Sequence, residues 1–329
     1  MKTIDILIIN SITISAEKLS EDLSRDSTLK IVSLATCAYE ARDKIMQHHP
    51  DLIICECNLH GKMNGIEFIK KLLPQYHLPV IMTGEAKYEK DAKKTGASAF
   101  IERPKSSIIT DDKYIKKMML TAKAVVHGEV LPGDNAVNKM FSSLIAIGAS
   151  TGGAEAVESI ITSLPIIMPP IIIAQHMPPK FTEIFAERLD KFSKLSVIET
   201  DTGEILFPGH AYVAKGGFHT RVIKSENFYK IVCSENHEQL LNVPSVDVLF
   251  LSVANATKGN SIGAVLTGMG RDGTIGLMEM RETGSRTIAQ DEETSVVYGM
   301  PKATVESGAA EMSLSLDKIP QKLIELCRA

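Results

Sequence analysis

The feature that most limits what this chain can fold into is a repeated alternation. Apolar runs too short for a core helix are followed by polar turns and then by stretches with helical spacing. In the first half the runs are Ile4 to Ile9, Ile31 to Ala35, Leu52 to Cys55, Val80 to Met82 and Ala99 to Ile101. Runs without polar alternation predict strands buried on both faces, which requires parallel strands joined by helices above and below. The predicted fold class is therefore α/β, a doubly wound parallel sheet of five strand-helix units. The fifth helix is the most explicit, with Ile115, Met118, Met119, Ala122, Val125 and Val126 at spacings of three and four. Lys113, Lys116, Lys117 and Lys123 fall mostly off that stripe. Thr110 is the expected N-cap, Asp111 and Asp112 place acids at the positive end of the helix dipole, and Gly128 ends the helix.

A second alternation starts at Leu144. Strand Leu144 to Ile147 precedes helix Ala154 to Ser163, and strand Ile171 to Gln175 precedes helix Phe181 to Phe192. From Val197 to Cys233 the pattern gives way to short β segments with Gly-rich turns, including PGHAYVAKGG at 208–217, which predicts a small antiparallel excursion. Helix Val246 to Ala256, strand Ile262 to Leu266, helix Thr274 to Thr283 and strand Arg286 to Ala289 resume the winding, and a last helix runs from Leu316 to Cys327. Residues 128–142, GEVLPGDNAVNKMFS, are rich in Gly, Pro, Asn and Ser and predict a linker. The expected organisation is one domain over 1–127, the linker, and a second over 143–329, in keeping with the length of 329 residues.

Composition narrows the function classes. Lys and Arg total 36 against 40 Asp and Glu, a net charge of −4, which argues against nucleic acid as a partner. No run is long and apolar enough to span a bilayer, and MKTIDILIIN carries an acid inside its apolar run with no cleavage signature after it. A cytoplasmic location without membrane insertion is expected. Five cysteines are scattered through the chain. Cys55 and Cys57 share a strand face, but no further ligand stands at metal spacing, so no metal is expected and these thiols are read as small core residues in a reducing compartment.

Chemistry concentrates in the second half. In LIAIGASTGGAEA, residues 144–156, the segment Gly148-Ala149-Ser150-Thr151-Gly152 satisfies G-x-S-x-G, a turn that lifts a serine hydroxyl above the end of a sheet. The same turn could merely start a helix or cradle a phosphate. His176 follows strand Ile171 to Gln175, and Asp272 lies in TGMGRDG after strand Ile262 to Leu266. Singly, His176 reads as a turn residue and Asp272 as an N-cap. Together, three polar residues at the carboxyl ends of strands of one sheet point to one crevice. They are also the set acyl transfer needs: a hydroxyl nucleophile, a base and a carboxylate that fixes the base's tautomer. Such a site needs no metal or organic cofactor. Glycines beside Met269 leave backbone N–H groups for an oxyanion, a term worth roughly 3 kcal/mol per donor. The chain order Ser, His, Asp differs from that of α/β-hydrolases, so the motif does not license that fold. A phosphate- or nucleotide-binding module using Gly148–Gly153 is weakened by the absence of a Walker lysine and by the apolar run Ile171 to Ala174 where an acid is needed.

In the first half, PDLIICE at 50–56, MNG at 63–65 and RP at 103–104, with the order of elements, resemble a response-regulator receiver domain over roughly residues 1–125. The residues that resemblance assigns to phosphoryl chemistry have changed. The acid pair that holds magnesium is represented by Ile9 and Asn10, and the phosphoacceptor aspartate by Glu56. The Ser or Thr after strand four falls at Thr83 or Gly84, and the lysine before proline is Arg103. Magnesium demands carboxylate oxygens in near-octahedral array, so the receiver is read as degenerate and not phosphorylated normally. Two readings of Glu56 stay open: a permanent charge imitating the phosphorylated state through Arg103, or a purely structural residue.

The second half carries a more specific resemblance. IGASTGG at 147–153, QHMPP at 175–179, FAERL at 185–189, PGHAYVA at 208–214, PSVDVLF at 244–250, LTGMGRDG at 266–273 and the run from Ala289 to Pro301 resemble the chemotaxis protein-glutamate methylesterases, the CheB family. The resemblance implies hydrolysis of γ-glutamyl methyl esters on the cytoplasmic helices of chemoreceptors, and in many members deamidation of receptor glutamines. It implies Ser150 as nucleophile, His176 as base and Asp272 as its orienting acid, with Thr151 and the Met269 backbone as oxyanion and active-site support. It also implies methylated receptor helices and a chemotaxis histidine kinase as partners, and a receiver that blocks the catalytic face until phosphorylated. With the receiver decayed, a catalytically idle regulatory protein is the remaining alternative.

Overall fold

The computed structural model describes residues 3–104, 111–130, 134–225, 228–235 and 242–328. The chain divides into two compact units, Lys2–Val137 and Asn138–Ala329.

In the first unit the elements run β1 (Ile4–Ile9), α1 (Thr13–Leu23), β2 (Leu29–Ala35), α2 (Ala38–His48), β3 (Leu52–Glu56), α3 (Gly65–Leu72), β4 (Val80–Gly84), α4 (Glu89–Lys94), β5 (Ala99–Glu102) and α5 (Asp112–Val126). All five strands are parallel, in the order β2-β1-β3-β4-β5. Every residue of β3 and β4 is buried, as expected for strands covered on both faces. Cys55 and Cys57 both lie in the apolar core of this sheet, and burial pushes the Cys57 thiol up to about 12.

Two details of α5 differ from the sequence reading. Its cap is Asp111, whose side chain accepts from the Lys113 amide at 2.9 Å; Thr110 lies outside the described residues. Gly128, at φ 68, follows the last turn as expected of a glycine in the left-handed region. Lys123 is not off the buried face. Its side chain is 3% exposed, and its ammonium meets the equally buried Asp26 carboxylate at 2.7 Å. Asp26 also accepts from the Thr28 hydroxyl at 2.6 Å, so the α1–β2 turn is tied to α5 by a buried ion pair that periodicity cannot reveal.

The expected linker contains a helix, α6 (Asp134–Ser142). Val137, Met140 and Phe141, spaced by three and one, form its buried side, and the Phe141 ring stands edge-on to Phe228 at 6.3 Å. That burial outweighs the polar, Gly- and Pro-containing composition that made the stretch read as irregular.

The second unit continues with β6 (Leu144–Ala149), α7 (Gly153–Ser163), β7 (Ile171–Gln175), α8 (Phe181–Phe192), β8 (Ser196–Glu199), β9 (Ile205–Leu206), β10 (His210–Val213), β11 (His219–Ser225) and β12 (Phe228–Ser234). It closes with α9 (Val246–Thr257), β13 (Ser261–Val265), α10 (Thr274–Glu282), β14 (Arg286–Gln290), α11 (Met300–Glu306), β15 (Met312–Leu314) and α12 (Ile319–Arg328). Seven strands form one parallel sheet in the order β15-β14-β13-β6-β7-β10-β8. Odd residues of β6 and β7 enter one core with α7, α8 and α12, and even residues enter the other with α9 and α10. The antiparallel excursion is smaller than expected, comprising only β11-β12-β9. The PGHAYVA stretch corrects that expectation, because its strand β10 pairs in parallel with both β7 and β8. Helix α11 and edge strand β15 had no counterpart in the sequence reading, and residues 316–318 form a 3-10 turn before α12. Among the described residues no helix is long and apolar enough to cross a membrane.

Candidate active site

The order of the seven-stranded sheet reverses at its centre. From β6 the chain moves outward to β7 on one side, and later returns to place β13 on the other. Crevices form where successive connections leave on opposite faces of such a sheet, at the carboxyl ends of the strands. Ser150 and His176 are the first residues after β6 and β7, and Asp272 lies in the loop from β13 to α10. The Ala149–Gln175 register pair brings Ser150 and His176 side by side, and the His176 amide donates to Ala149 O at 3.0 Å. The Ser150 amide donates to Thr267 O at 3.0 Å, fixing the turn against the third strand's loop.

The three side chains form a continuous hydrogen-bonded line. His176 Nδ1 lies 3.0 Å from Ser150 Oγ, and His176 Nε2 lies 2.8 Å from Asp272 Oδ2. An ionised carboxylate can only accept, so Nε2 carries the proton toward Asp272. The Nδ1 lone pair then faces the Ser150 hydroxyl. The imidazole and carboxylate side chains are 14% and 10% exposed, which leaves little water to compete with this line.

Asp272 is held by more than histidine. Its Oδ1 accepts from Ser245 Oγ at 3.0 Å and the Asp247 amide at 2.9 Å, and its Oδ2 accepts from the Val246 amide at 2.8 Å. These donors are the cap and first turn of α9, where free amides and the helix dipole favour a negative charge. Burial alone pushes the Asp272 carboxyl up, but the His176 bond and the two amides outweigh it and hold the group below the usual carboxylate range.

Residues 145–323 match the CheB methylesterase family, and residues 6–111 match the response regulator receiver domain. The chain belongs to the CheB methylesterase family. A protein-glutamate methylesterase/protein-glutamine glutaminase of Syntrophotalea carbinolica is 38% identical, covering 99% of this chain and 98% of that protein. One from Pseudomonas aeruginosa, protein-glutamate methylesterase/protein-glutamine glutaminase 2, is 36% identical over 98% and 96% of the two chains. The crystal structure of the Thermotoga maritima CheB methylesterase catalytic domain is 41% identical, with a TM-score of 0.54; the match covers 56% of this chain and 97% of that one.

Around Ser150 this CheB family member uses glycine for close approach. A Cβ on Gly148 would lie 2.2 Å from Val246 Cγ1, and one on Gly268 would lie 2.7 Å from Ser150 Cβ and 2.4 Å from Met300 Sδ. Gly148→Ala therefore pushes β6 against the first residue of α9, the helix that holds Asp272. A destabilisation of about 1–3 kcal/mol is expected in urea unfolding, together with a loss of activity larger than stability alone explains. Unchanged unfolding would show that Val246 can move aside freely.

The Thr151 and Met269 amides donate to no acceptor among the described residues. Thr151 adjoins Ser150 in the chain, and Met269 follows Gly268, whose Cβ position would lie 2.7 Å from Ser150 Cβ; Met269 is 75% exposed. Two amides of the Gly148–Gly153 loop are already engaged. The Ser150 and Gly153 amides are spent on Thr267 O and Ser150 O, and Val296 lies over Gly152, 2.6 Å from where a Cβ would be. Gln175, which sequence reasoning passed over as the last residue of a strand, donates from Nε2 to Ser150 O at 2.9 Å and His176 O at 3.2 Å. It braces both turns at once.

In the receiver unit, Glu56 is 4% exposed at the end of β3. Its Oε2 accepts from Thr83 Oγ1 at 3.2 Å and meets Arg103 Nη1 at 3.4 Å. Register pairs Glu56 with Thr83, and Gly84 is the last residue of β4. Burial pushes the Glu56 carboxyl above the usual range, with Arg103 and Thr83 acting against it, so its charge is less permanent than the sequence reading assumed. Ile9 is fully buried in the apolar core and pairs with Cys55, and therefore does not face the site. Asn10, one residue on, turns its Oδ1 to the Ile12 amide at 2.9 Å.

Proposed function

We propose that this protein hydrolyses γ-glutamyl methyl esters on chemoreceptor cytoplasmic helices, with Ser150 as nucleophile, His176 as general base and Asp272 as the acid that orients it. The observation that carries the reading is the Ser150–His176–Asp272 line, at 3.0 and 2.8 Å, on three neighbouring strand ends. Ser150 Oγ attacks the ester carbonyl as His176 Nδ1 takes its proton. The resulting oxyanion is stabilised by the free amides beside Ser150, those of Thr151 and Met269. Collapse expels methanol, which leaves with the proton returned by His176. Water then repeats the attack on the acyl-enzyme and releases the glutamate carboxylate. The names of the relatives add glutamine deamidation, which the same acyl chemistry performs with ammonia as leaving group.

We further read the receiver unit as set by Glu56 rather than by phosphorylation. Supporting this are the Glu56–Arg103 and Glu56–Thr83 contacts and the lack of acids at Ile9 and Asn10. The test is a methanol-release assay on methylated receptor with and without acetyl phosphate. Release at the same rate in both arms, with no radiolabel from the phosphodonor on the chain, is expected. No release in either arm would favour an idle regulatory protein, and release that rises with label on the chain would refute the constitutive setting.

A further inference from the structure

The PSVDVLF segment supplies more than amides. Asp247, the second residue of α9, directs its own carboxylate to the start of α10. Its Oδ1 accepts from the Gly276 amide at 2.7 Å, and the nearby Gly273 and Ile275 amides also favour its ionised form. These are the free donors of the first turn of α10, the helix that begins directly after Asp272. The two helices thus exchange caps. Asp272, at the entrance to α10, binds the first amides of α9, while Asp247, in α9, binds the first amides of α10. Close packing makes the exchange possible, since a Cβ on Gly276 would lie 2.5 Å from Phe250 Cβ and 2.9 Å from Asp247 O.

We propose that Asp247 is a positioning residue for the ester hydrolysis: its carboxylate locks the start of α10, and through it the backbone of Asp272, so that Oδ2 stays in line with His176. The proposal rests on the triad reading given above. The titratable groups that bear on this corner are Asp272 and Arg271 from the β13–α10 loop, His176 behind Asp272, and His219 on β11, whose Nδ1 accepts from the Ser245 amide at 3.3 Å. Burial, aided by the neighbouring Asp272 charge, raises the Asp247 carboxyl to about 6 against the pull of the α10 amides. A carboxyl whose folded pKa is raised contributes less stability once pH exceeds its unfolded value, so neutralising Asp247 should not weaken the fold at pH 8.

The experiment compares wild-type and Asp247→Asn full-length chains by the rate at which a fluorophosphonate labels Ser150, from pH 5 to pH 8. The amide keeps one acceptor but loses the charge, so labelling at pH 8 should be about tenfold slower in the variant, with an unfolding midpoint no lower than wild type. As pH falls through about 6 the wild-type Asp247 takes up a proton and comes to resemble the variant, so the tenfold advantage should vanish by pH 5. A ratio that stays constant with pH, or no difference at pH 8, overturns the proposal. Absence of labelling in the wild type overturns the triad reading and this one together, whereas labelling with a constant ratio overturns this one alone. If the Asn variant does not fold, Asp247→Glu serves instead: it keeps the charge and must keep the pH-dependent step, and its loss would count against the proposal.

Discussion

Ser150→Ala is expected to lower ester turnover by about 10⁴-fold or more while leaving the unfolding midpoint where it was. Both halves follow from how the residue is held. Among the described residues the hydroxyl's one bonded neighbour is His176 Nδ1, so its loss removes the proposed nucleophile and no other hydrogen bond seen there. The backbone bonds that fix the turn, from Ser150 N to Thr267 O and from Gly153 N and Gln175 Nε2 to Ser150 O, survive in alanine. What activity remains comes from the unaltered oxyanion donors. Methanol release and fluorophosphonate labelling measure the loss, and turnover near the wild-type rate would remove Ser150 from the mechanism.

Asp272→Ala should differ in kind. Turnover is expected to fall by about 10⁴-fold, because the imidazole loses the acceptor that keeps its proton on Nε2 and away from the serine. In addition the α9 cap is lost, leaving the Val246 and Asp247 amides and the Ser245 hydroxyl without their carboxylate. That costs about 2 kcal/mol in chemical denaturation. Ser150→Ala thus separates chemistry from folding, and Asp272→Ala joins them. An Asp272→Ala protein as stable as wild type would show that α9 does not depend on this cap.

These residues differ in how far the sequence exposes them. Ser150, His176 and Asp272 are legible because each directly follows a short apolar run or its loop, and strand ends of a parallel sheet converge. The winding itself is legible from the same runs: β7 and α8 occupy the residues expected of them. Gln175, Ser245 and Asp247 are not legible as site residues, since their partners are backbone groups brought close only by the packing of α9 on α10 and β6 on β7. Strand β10 is too short for periodicity to say whether its neighbours run parallel, and its pairing is decided by β7 and β8. Periodicity misplaces Lys123 because a charged residue on the buried face of a helix is admissible only with a partner, and Asp26 is 97 positions away in the chain.

The burial of Glu56 has a consequence for timing. A phosphoryl group on a receiver is a signal with a lifetime, written by one enzyme and erased by hydrolysis, so it can carry the memory of a recent stimulus. A carboxyl group that is part of the polypeptide, held by Thr83 and Arg103, is present from synthesis to degradation. On the constitutive reading, the demethylation this chain supplies is a fixed background rate, and only the amount of protein and the supply of methylated receptor can vary it. A cell relying on it alone would adjust its receptors toward a set point without registering when the last stimulus arrived.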